Sequence, residues 1–458
     1  MSQDIVSQAD AGSDQNKTKL SIRQQLVLSA YWFATNMHWG AMLLLLIPYQ
    51  AKIIAPNDWV AAMSWIFGLG ALMALFIPLI AGALSDRSMS KWGRRRPFLV
   101  FGVTFNLIGL AAMAYGGGRF SLPLYLLGYL IVQFGNNTAG AAYAGIIPDM
   151  VPEDQRGEAS GYMATMTQLG TIVGVLLCSV LLGKQHDVDA LTGHHGQLYI
   201  FGIYGVIALV MFTFLLLTVM TVHETPRTQV PPPLTLGSFI NDIIGPLKFP
   251  DFFWVLVTRA LVTLGMWIVQ PYIQNYLEDV VHVQNPPVLA GMLLVVILVA
   301  ATITGVIGGK ISDRIGRKLV VYVANTVIAI CSVAFVFSHN MTETFIIGAF
   351  YGMGFGAYSS VDWALACDVL PSQEDAGKDM AIWHISMVIP QTFGPALAGI
   401  LLAGFWKETK VPVVNDVTGK MDELAHYSVS GYQAAFWAAA AFLVLGAVLL
   451  HNVREKKR

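Results

Sequence analysis

Charge is what this 458-residue chain lacks: Asp, Glu, Lys and Arg make up 12% of it, about half the share of a soluble domain. A net charge of −1 leaves no basic surface for phosphate contacts, so no nucleic-acid partner is expected. Cysteine is almost absent as well. Cys178, Cys331 and Cys367 all fall inside apolar stretches, without disulfide or metal-ligand spacing. They read as packing residues, and no metal or cofactor is expected. No HExxH, nucleophile elbow or phosphate-binding loop occurs, so the chain does not read as an enzyme. The first 20 residues are polar and lack the basic-then-apolar order of a cleaved signal peptide. They read as a cytoplasmic tail. No long soluble segment follows, which argues against a receptor or membrane sensor with a separate module.

Apolar residues dominate instead, at 55%, and the mean hydropathy is +0.60. A helix of about 20 such residues spans a bilayer, where the backbone finds no water to bond. Twelve runs meet that length: 24–51, 59–84, 97–116, 121–148, 158–183, 197–222, 252–278, 286–310, 319–338, 343–370, 379–404 and 430–451. The expectation is an all-α membrane protein of twelve transmembrane helices. With the N-terminus inside, cytoplasmic segments hold twenty Lys and Arg against six outside, and Arg259 lies within a run. That bias places both termini in the cytoplasm. Pro231, Pro232 and Pro233 lie in the longest connection and make it a spacer. The chain thus divides into a tail (1–23), a six-helix half (24–222), a linker (223–251), a second half (252–451) and a basic tail (452–458). The part of the linker from Leu236 to Phe249 reads equally as plain linker or as a short interfacial helix.

Two internal matches reveal a duplication. Gly82-Ala-Leu-Ser-Asp-Arg-Ser-Met-Ser-Lys-Trp-Gly-Arg-Arg-Arg-Pro97 recurs, shortened by four residues, as Gly309-Lys-Ile-Ser-Asp-Arg-Ile-Gly-Arg-Lys318. Gly135 through Asp149-Met-Val-Pro152 aligns with Gly354 through Asp368-Val-Leu-Pro371 at a constant offset of 219. The fourth run therefore corresponds to the tenth.

The Gly309–Lys318 loop resembles the signature loop of the major facilitator superfamily, whose fold is two pseudo-symmetric six-helix halves. The longer first copy is similar to the loop of sucrose–proton and glycoside–cation symporters. The resemblance implies transport of a small organic solute by alternating access, as sugar or glycoside symport with a proton, or alternatively with sodium. It implies a cell (inner or plasma) membrane protein that works as a monomer, with lipid and a small-molecule substrate as its partners. It also implies that Asp86 meets the start of the eleventh helix and Asp313 the start of the fifth, closing an inner gate. Gly82, Arg87, Gly309 and Arg314 belong to that gate, with Arg94 and Arg95 facing Asp149 and Arg317 facing Asp368. The alternative is that these charges only set topology. Sucrose symporters carry Arg-x-x-x-x-Asp at the end of the fourth helix; here the Asp position is Asp149 but the Arg position is Ala144. A Gly-Pro pair with paired glycines, as in drug–proton exchangers, is missing from the fifth run. An exporter of drugs or metabolites is the rival reading, and a non-transporting sensor is the rival from another class.

By the same resemblance the first, fourth, seventh and tenth helices line the central cavity. At helical spacing they offer Asn36, His38 and Trp39; Tyr129, Gln133, Asn136, Asn137 and Tyr143; Thr263, Trp267, Gln270 and Gln274; and Tyr351, Phe355 and Tyr358. Amides and hydroxyls beside aromatic faces suit a neutral polyhydroxylated ligand, and suit an amphipathic one nearly as well. Arg259 and Asp362 lie at matched depths, roughly 10–12 Å from the inner ends of their helices, so an ion pair between them is sterically open. They are the candidate ion-coupling residues; the alternatives are a snorkelling Arg259 and a solvated Asp362. His38 and His384 read first as hydrogen-bonded packing residues.

Overall fold

The computed structural model describes residues 19–146, 150–152, 155–193, 195–222, 224, 237, 244–371, 376–405, 409–414 and 421–454. The first apolar run forms α1 (Ile22–Ala41), a π-helical turn over Met42–Leu46, and α2 (Ile47–Ile54). Ser21 caps α1, accepting from Gln24 N while the Gln24 side chain bonds back to Ser21 N. There follow α3 (Trp59–Asp86), α4 (Arg96–Gly118), α5 (Leu122–Ala144), α6 (Arg156–Thr192) and α7 (Leu198–Thr221). The seventh run is α8 (Pro250–Val269), a 3₁₀ turn over Gln270–Tyr272, and α9 (Ile273–Asp279). Pro271 has no N–H to give, and the helix breaks there. The remaining helices are α10 (Pro286–Ile315), α11 (Arg317–Val336), α12 (Met341–Asp368), α13 (Ala376–Phe405) and α14 (Val429–Leu449).

The packing carries the duplication. In the first half α4 lies on α5, α3 on α5, α1 on α6 and α7, and α4 on α7. In the second half α11 lies on α12, α10 on α12, α8 on α13 and α14, and α11 on α14. Each contact recurs six apolar runs later. The two most extensive contacts between the halves, α3 with α13 and α6 with α10, are counterparts of one another. Helix pairs without a hydrophobic drive between them associate through close backbone approach at small residues. A Cβ on Gly109 would sit 2.5 Å from Val132 N, and one on Gly135 2.3 Å from Asn106 N. Here α4 and α5 touch backbone to backbone.

Leu20 N donates to Gln155 Oε1 at 2.7 Å, and Lys318 Nζ to Val453 O at 2.7 Å. Both described chain ends thus lie at the end of the bundle that bears the two Ser-Asp-Arg loops, called here the loop end. The opposite end carries a β-hairpin that the sequence reading did not expect. In it β1 (Thr409–Val414) pairs antiparallel with β2 (Met421–His426), with Thr409 opposite His426. Side chains from the two halves interlock there: Val288 reaches Gly183, Ser179 reaches Gly291, and Asn285 Nδ2 donates to Asp187 at 2.9 Å. At the loop end, by contrast, nothing lies within 4 Å of a Cβ placed on Gly82 or Gly161.

Among the described residues nine helices are long and apolar enough to cross a membrane. The apolar runs outside that set are the first, fourth and tenth, which carry amides, tyrosines and Asp362 on buried faces. Two boundaries moved. α6 runs to Thr192, well past the expected 183, and α10 runs to Ile315. Half of the expected interfacial piece of the linker lies outside the described residues, and its described end carries a 3₁₀ turn over Gly245–Lys248.

If backbone contact at α4–α5 holds the first half together, Gly135→Val lowers stability by about 1–3 kcal/mol, the usual cost of overpacking. Gly140→Ala, where a Cβ meets open space, leaves it unchanged. Thermal unfolding of the purified protein in detergent compares the two.

Candidate functional site

In the first half, the polar residues of α1 and α5 bond to one another. Thr35 Oγ1 donates to Asn136 Oδ1 at 3.0 Å, which leaves the Asn136 amide to donate to His38 Nδ1 at 3.0 Å. The His38 proton therefore sits on Nε2, which is buried without a partner among the described residues. The Tyr143 hydroxyl accepts from Tyr31 N at 3.1 Å and donates to Leu28 O. Gln133 Nε2 donates to Tyr129 OH at 2.7 Å, and Asn137 Nδ2 to Gln133 Oε1 at 2.8 Å. Asn36 Nδ2 is taken up by Trp32 O at 2.8 Å. As placed here, Gln133, Asn136, Tyr143 and His38 fasten α1 to α5 or α5 to itself. Asn36, Trp39 and Asn137 are half-buried. Trp32 was missed by sequence reasoning; it is half-buried, and its indole N–H has no partner among the described residues.

The second half holds the charge. Arg259 of α8 donates through Nη1 to Asp362 Oδ2 of α12. Their side chains are 9% and 6% exposed, so neither is snorkelling or solvated. The guanidinium carbon lies 3.5 Å from the centre of the Trp383 ring on α13, and Nη2 lies 3.6 Å from Met387 Sδ. A buried ion pair is tolerable only when each charge is fully partnered, and the indole face supplies part of that. Trp383 and Met387 were not foreseen, because no helical periodicity says which face of the eleventh run meets the seventh. The duplication makes the pair informative. At the offset of 219, Asp362 corresponds to Tyr143, and Arg259 and Tyr31 are both the tenth residue of their helices. Tyr31 and Tyr143 do touch, edge to face, with ring centres 4.8 Å apart. The same position is a tyrosine pair in one half and an ion pair in the other.

Beside this pair, the Tyr358 hydroxyl and Trp383 Nε1 are buried and without partners among the described residues. So is Gln274 Oε1. Gln270 lines a small cavity together with Leu44, Ile273, Leu294, Tyr351 and Phe355. Its wall is apolar except for Gln270 and the Tyr351 hydroxyl. Trp267 is half-buried, with its backbone packed against Gly394.

The loops hold their charges within their own halves. Arg95 Nη2 lies 2.5 Å from Asp86 Oδ1, and Arg317 Nε 2.8 Å from Asp368 Oδ2. The Arg95 and Arg96 amides point at Glu224 Oε2, at 2.8 and 3.3 Å, and the Arg96 side chain bonds Val219 O. That carboxylate caps the start of α4, and its signal was an acid directly after the sixth run. Lys318 on Val453 O mirrors Arg96 on Val219 O. Gly93 and Gly316 stand at φ +96 and +97, which explains a glycine before the arginines in both copies. Asp86 was expected at the start of the eleventh helix; its carboxylate meets Arg95 beside it, and most of the side chains at the start of α13 lie outside the described residues. Arg87 and Arg94 are half-buried, Arg314 is exposed, and a Cβ on Gly309 would lie 3.9 Å from Ser360 Oγ. Asp149 and the side chains of Asp313 and His384 lie outside the described residues.

The family profile for the Major Facilitator Superfamily matches residues 26–374 and 255–458. Among proteins with assigned roles, the sucrose transport protein SUC4 of Arabidopsis thaliana is 24% identical over 82% of this chain and 83% of its own. The general alpha-glucoside permease of Schizosaccharomyces pombe is 26% identical over 50% of this chain and 42% of its own. A bacterial homologue of the lysosomal transporter Spinster, inward-facing and unoccupied, superposes with a TM-score of 0.69 at 15% identity. It covers 93% of this chain and 95% of its own. A D-xylose–proton symporter superposes with a TM-score of 0.67 at 16% identity, covering 94% and 97%.

Replacing Asn136 by Leu strands Thr35 Oγ1 and His38 Nδ1 together. Buried polar groups left unpaired cost about 1–3 kcal/mol each. Asn136→Leu is expected to lower the midpoint of thermal unfolding whether or not a solute is present.

Proposed function

The chain belongs to the Major Facilitator Superfamily, and we propose that it is a secondary transporter carrying a sugar or glycoside in symport with a proton. In this reading twelve helices cross the cell membrane with both termini in the cytoplasm, where Lys and Arg accumulate. The monomer suffices, since the solute path lies between its own halves. The halves rock about a central site, and the side-chain contacts between them at the hairpin end support a form closed there.

The observation that carries the reading is the buried Arg259–Asp362 pair. Protonation of Asp362 removes the counter-charge and leaves Arg259 among apolar neighbours. Breaking such a pair costs about 3–5 kcal/mol unless another acceptor arrives. A solute oxygen supplies it, and Tyr358 OH and Trp383 Nε1 are donors to the same region. Proton and solute then bind better together than apart, which is the condition for symport. The sugar class is supported by the sucrose and glucoside transporters among the relatives. The apolar wall of the cavity favours a second reading, an exporter of amphipathic solutes.

Proteoliposomes loaded at one pH and diluted into another, with labelled sucrose or an α-glucoside, test the assignment. Inward proton gradients are expected to drive accumulation of one of these solutes, and Asp362→Asn to abolish accumulation while leaving counterflow exchange intact. Full accumulation in Asp362→Asn removes this residue from coupling. Outward movement of an amphipathic dye, with no sugar uptake, selects the exporter.

A further inference from the structure

The hairpin end contains a charged cluster that the transport reading leaves unused. Lys52 stands in the last turn of α2, in the first half, with its side chain 10% exposed. Its ammonium lies 2.8 Å from Glu278 Oε1 and 3.8 Å from Asp279 Oδ1, at the end of α9 in the second half. The Asp279 side chain is fully buried. It accepts from His426 Nδ1 at 2.7 Å, from Tyr432 OH at 2.7 Å and from Tyr427 N at 3.5 Å. The donor atoms of Glu278, Asp279 and His426 lie within 4.8 Å of one another. That is the spacing of a cation cage, and a tethered ammonium from the other half takes the cation's part. Trp59 covers the cluster, with Lys52 Nζ 5.7 Å from its ring centre and Tyr427 5.2 Å away on its edge.

Both partners ride on short helices beyond irregular turns. Lys52 follows the π turn of the first run, and Glu278 and Asp279 follow the 3₁₀ turn at Pro271. Such turns are where helices bend. His426 is the last residue of β2, so the cluster also ties the hairpin to α9.

We propose that Lys52, Glu278, Asp279 and His426 form a proton-sensitive latch that holds the two halves together at the hairpin end. The proposal rests on the transport reading for its purpose but not for its test. His426, Glu278 and Asp279 all belong to the second half, so Lys52 is drawn by the net charge those three carry. With His426 neutral, the ammonium faces two uncompensated carboxylates; with His426 protonated, one of them is already neutralised within its own half. Protonation therefore favours release, and rising pH favours the latched form. Among the described residues, the other titratable groups facing the cluster are Tyr432 of α14 and Tyr49 of α2, which is within electrostatic reach of Glu278. Tyr49 donates to Asp189 of α6 at 3.5 Å, and Asp189 also faces His195 at 3.4 Å.

Spin labels at Leu191 of α6 and Val429 of α14, 86% and 44% exposed, report the separation of the halves at this end. Pulsed electron–electron distances are measured on the full chain in lipid at about pH 5 and about pH 8, on either side of histidine titration. The separated population is expected to fall as pH rises in the natural sequence. In Lys52→Met it rises about fivefold at both pH values, the order expected for losing a partly buried pair. In His426→Gln, which keeps a donor for Asp279, the pH response disappears. Exchanging the charges, as Lys52→Glu with Glu278→Lys, restores the latched distance. Unchanged distances in folded Lys52→Met overturn the latch, and a full pH response in His426→Gln overturns its proton sensitivity. Where a single variant fails to fold, the exchanged pair decides: a restored short distance supports the latch, and a separated one overturns it. None of these distances depends on whether a sugar is carried, so a failed uptake assay leaves the latch standing or falling by itself.

Discussion

A guanidinium inside an apolar bundle has no water to solvate it, and the centre of this protein is arranged around that cost. Arg259 is held by Asp362 on one side and by the Trp383 ring on the other, with Met387 sulfur against its free nitrogen. Asp362 comes from α12 and both Trp383 and Met387 from α13, so α8, α12 and α13 meet at one point. The contrast with the first half is chemical, not architectural. There the same position is occupied by Tyr31 and Tyr143, neutral and bonded through the α1 backbone. A tyrosine pair cannot change charge under ordinary conditions, whereas an Arg–Asp pair can lose its carboxylate charge to a proton. Duplication supplied two equivalent positions, and only one of them holds an ion pair.

That asymmetry gives the first half a different task. Thr35, His38, Asn136 and Tyr143 spend their hydrogen bonds on joining α1 to α5. A network satisfied in this way is rigid, because releasing any one member leaves another unpaired. The glycine contacts between α4 and α5 add to that stiffness. Both halves keep polar atoms buried and unspent among the described residues: Trp32 Nε1, His38 Nε2 and the Tyr31 hydroxyl in the first, Tyr358 OH, Trp383 Nε1 and Gln274 Oε1 in the second. Only in the second do two of them, on Tyr358 and Trp383, lie beside a charge.

Much of this architecture was legible in the residues. The runs, the repeat and the register between the fourth and tenth helices follow from hydropathy and from two short motifs, because a lipid environment permits little but helix. The matched depths of Arg259 and Asp362 made their contact sterically open. What could not be read was azimuth. Spacing along one helix does not say which neighbour its polar stripe meets, so the bonds of Asn136 and Gln133 to other side chains could not be read from it. Trp383 was invisible for the same reason. Glu224 was hidden because its target is a backbone start, which leaves no pattern in side-chain spacing. The hairpin escaped because two short strands with no sheet to join carry little signal of their own.

The central pair and the hairpin-end cluster are not independent, because the same chain segments carry both. The first run bears Tyr31 and His38 before its π turn and Lys52 after it; the seventh bears Arg259 before its 3₁₀ turn and Glu278 and Asp279 after it. Tyr272, inside the second turn, donates to Pro395 O of α13 at 2.9 Å, and the same α13 lays Trp383 on Arg259. Four residues past Pro395, Gly399 packs against Val60 and Ser64 of α3 in the other half. A shift of Arg259 on loss of its carboxylate partner therefore acts on α13 through the indole, and α13 in turn contacts both the hinge and the opposite half. Covalent continuity along α8 and α9, together with packing along α13, gives two routes between the site and the end that must open. A protein that needs its central charge compensated before its halves part requires just such a link, and α13 is the element placed to provide it.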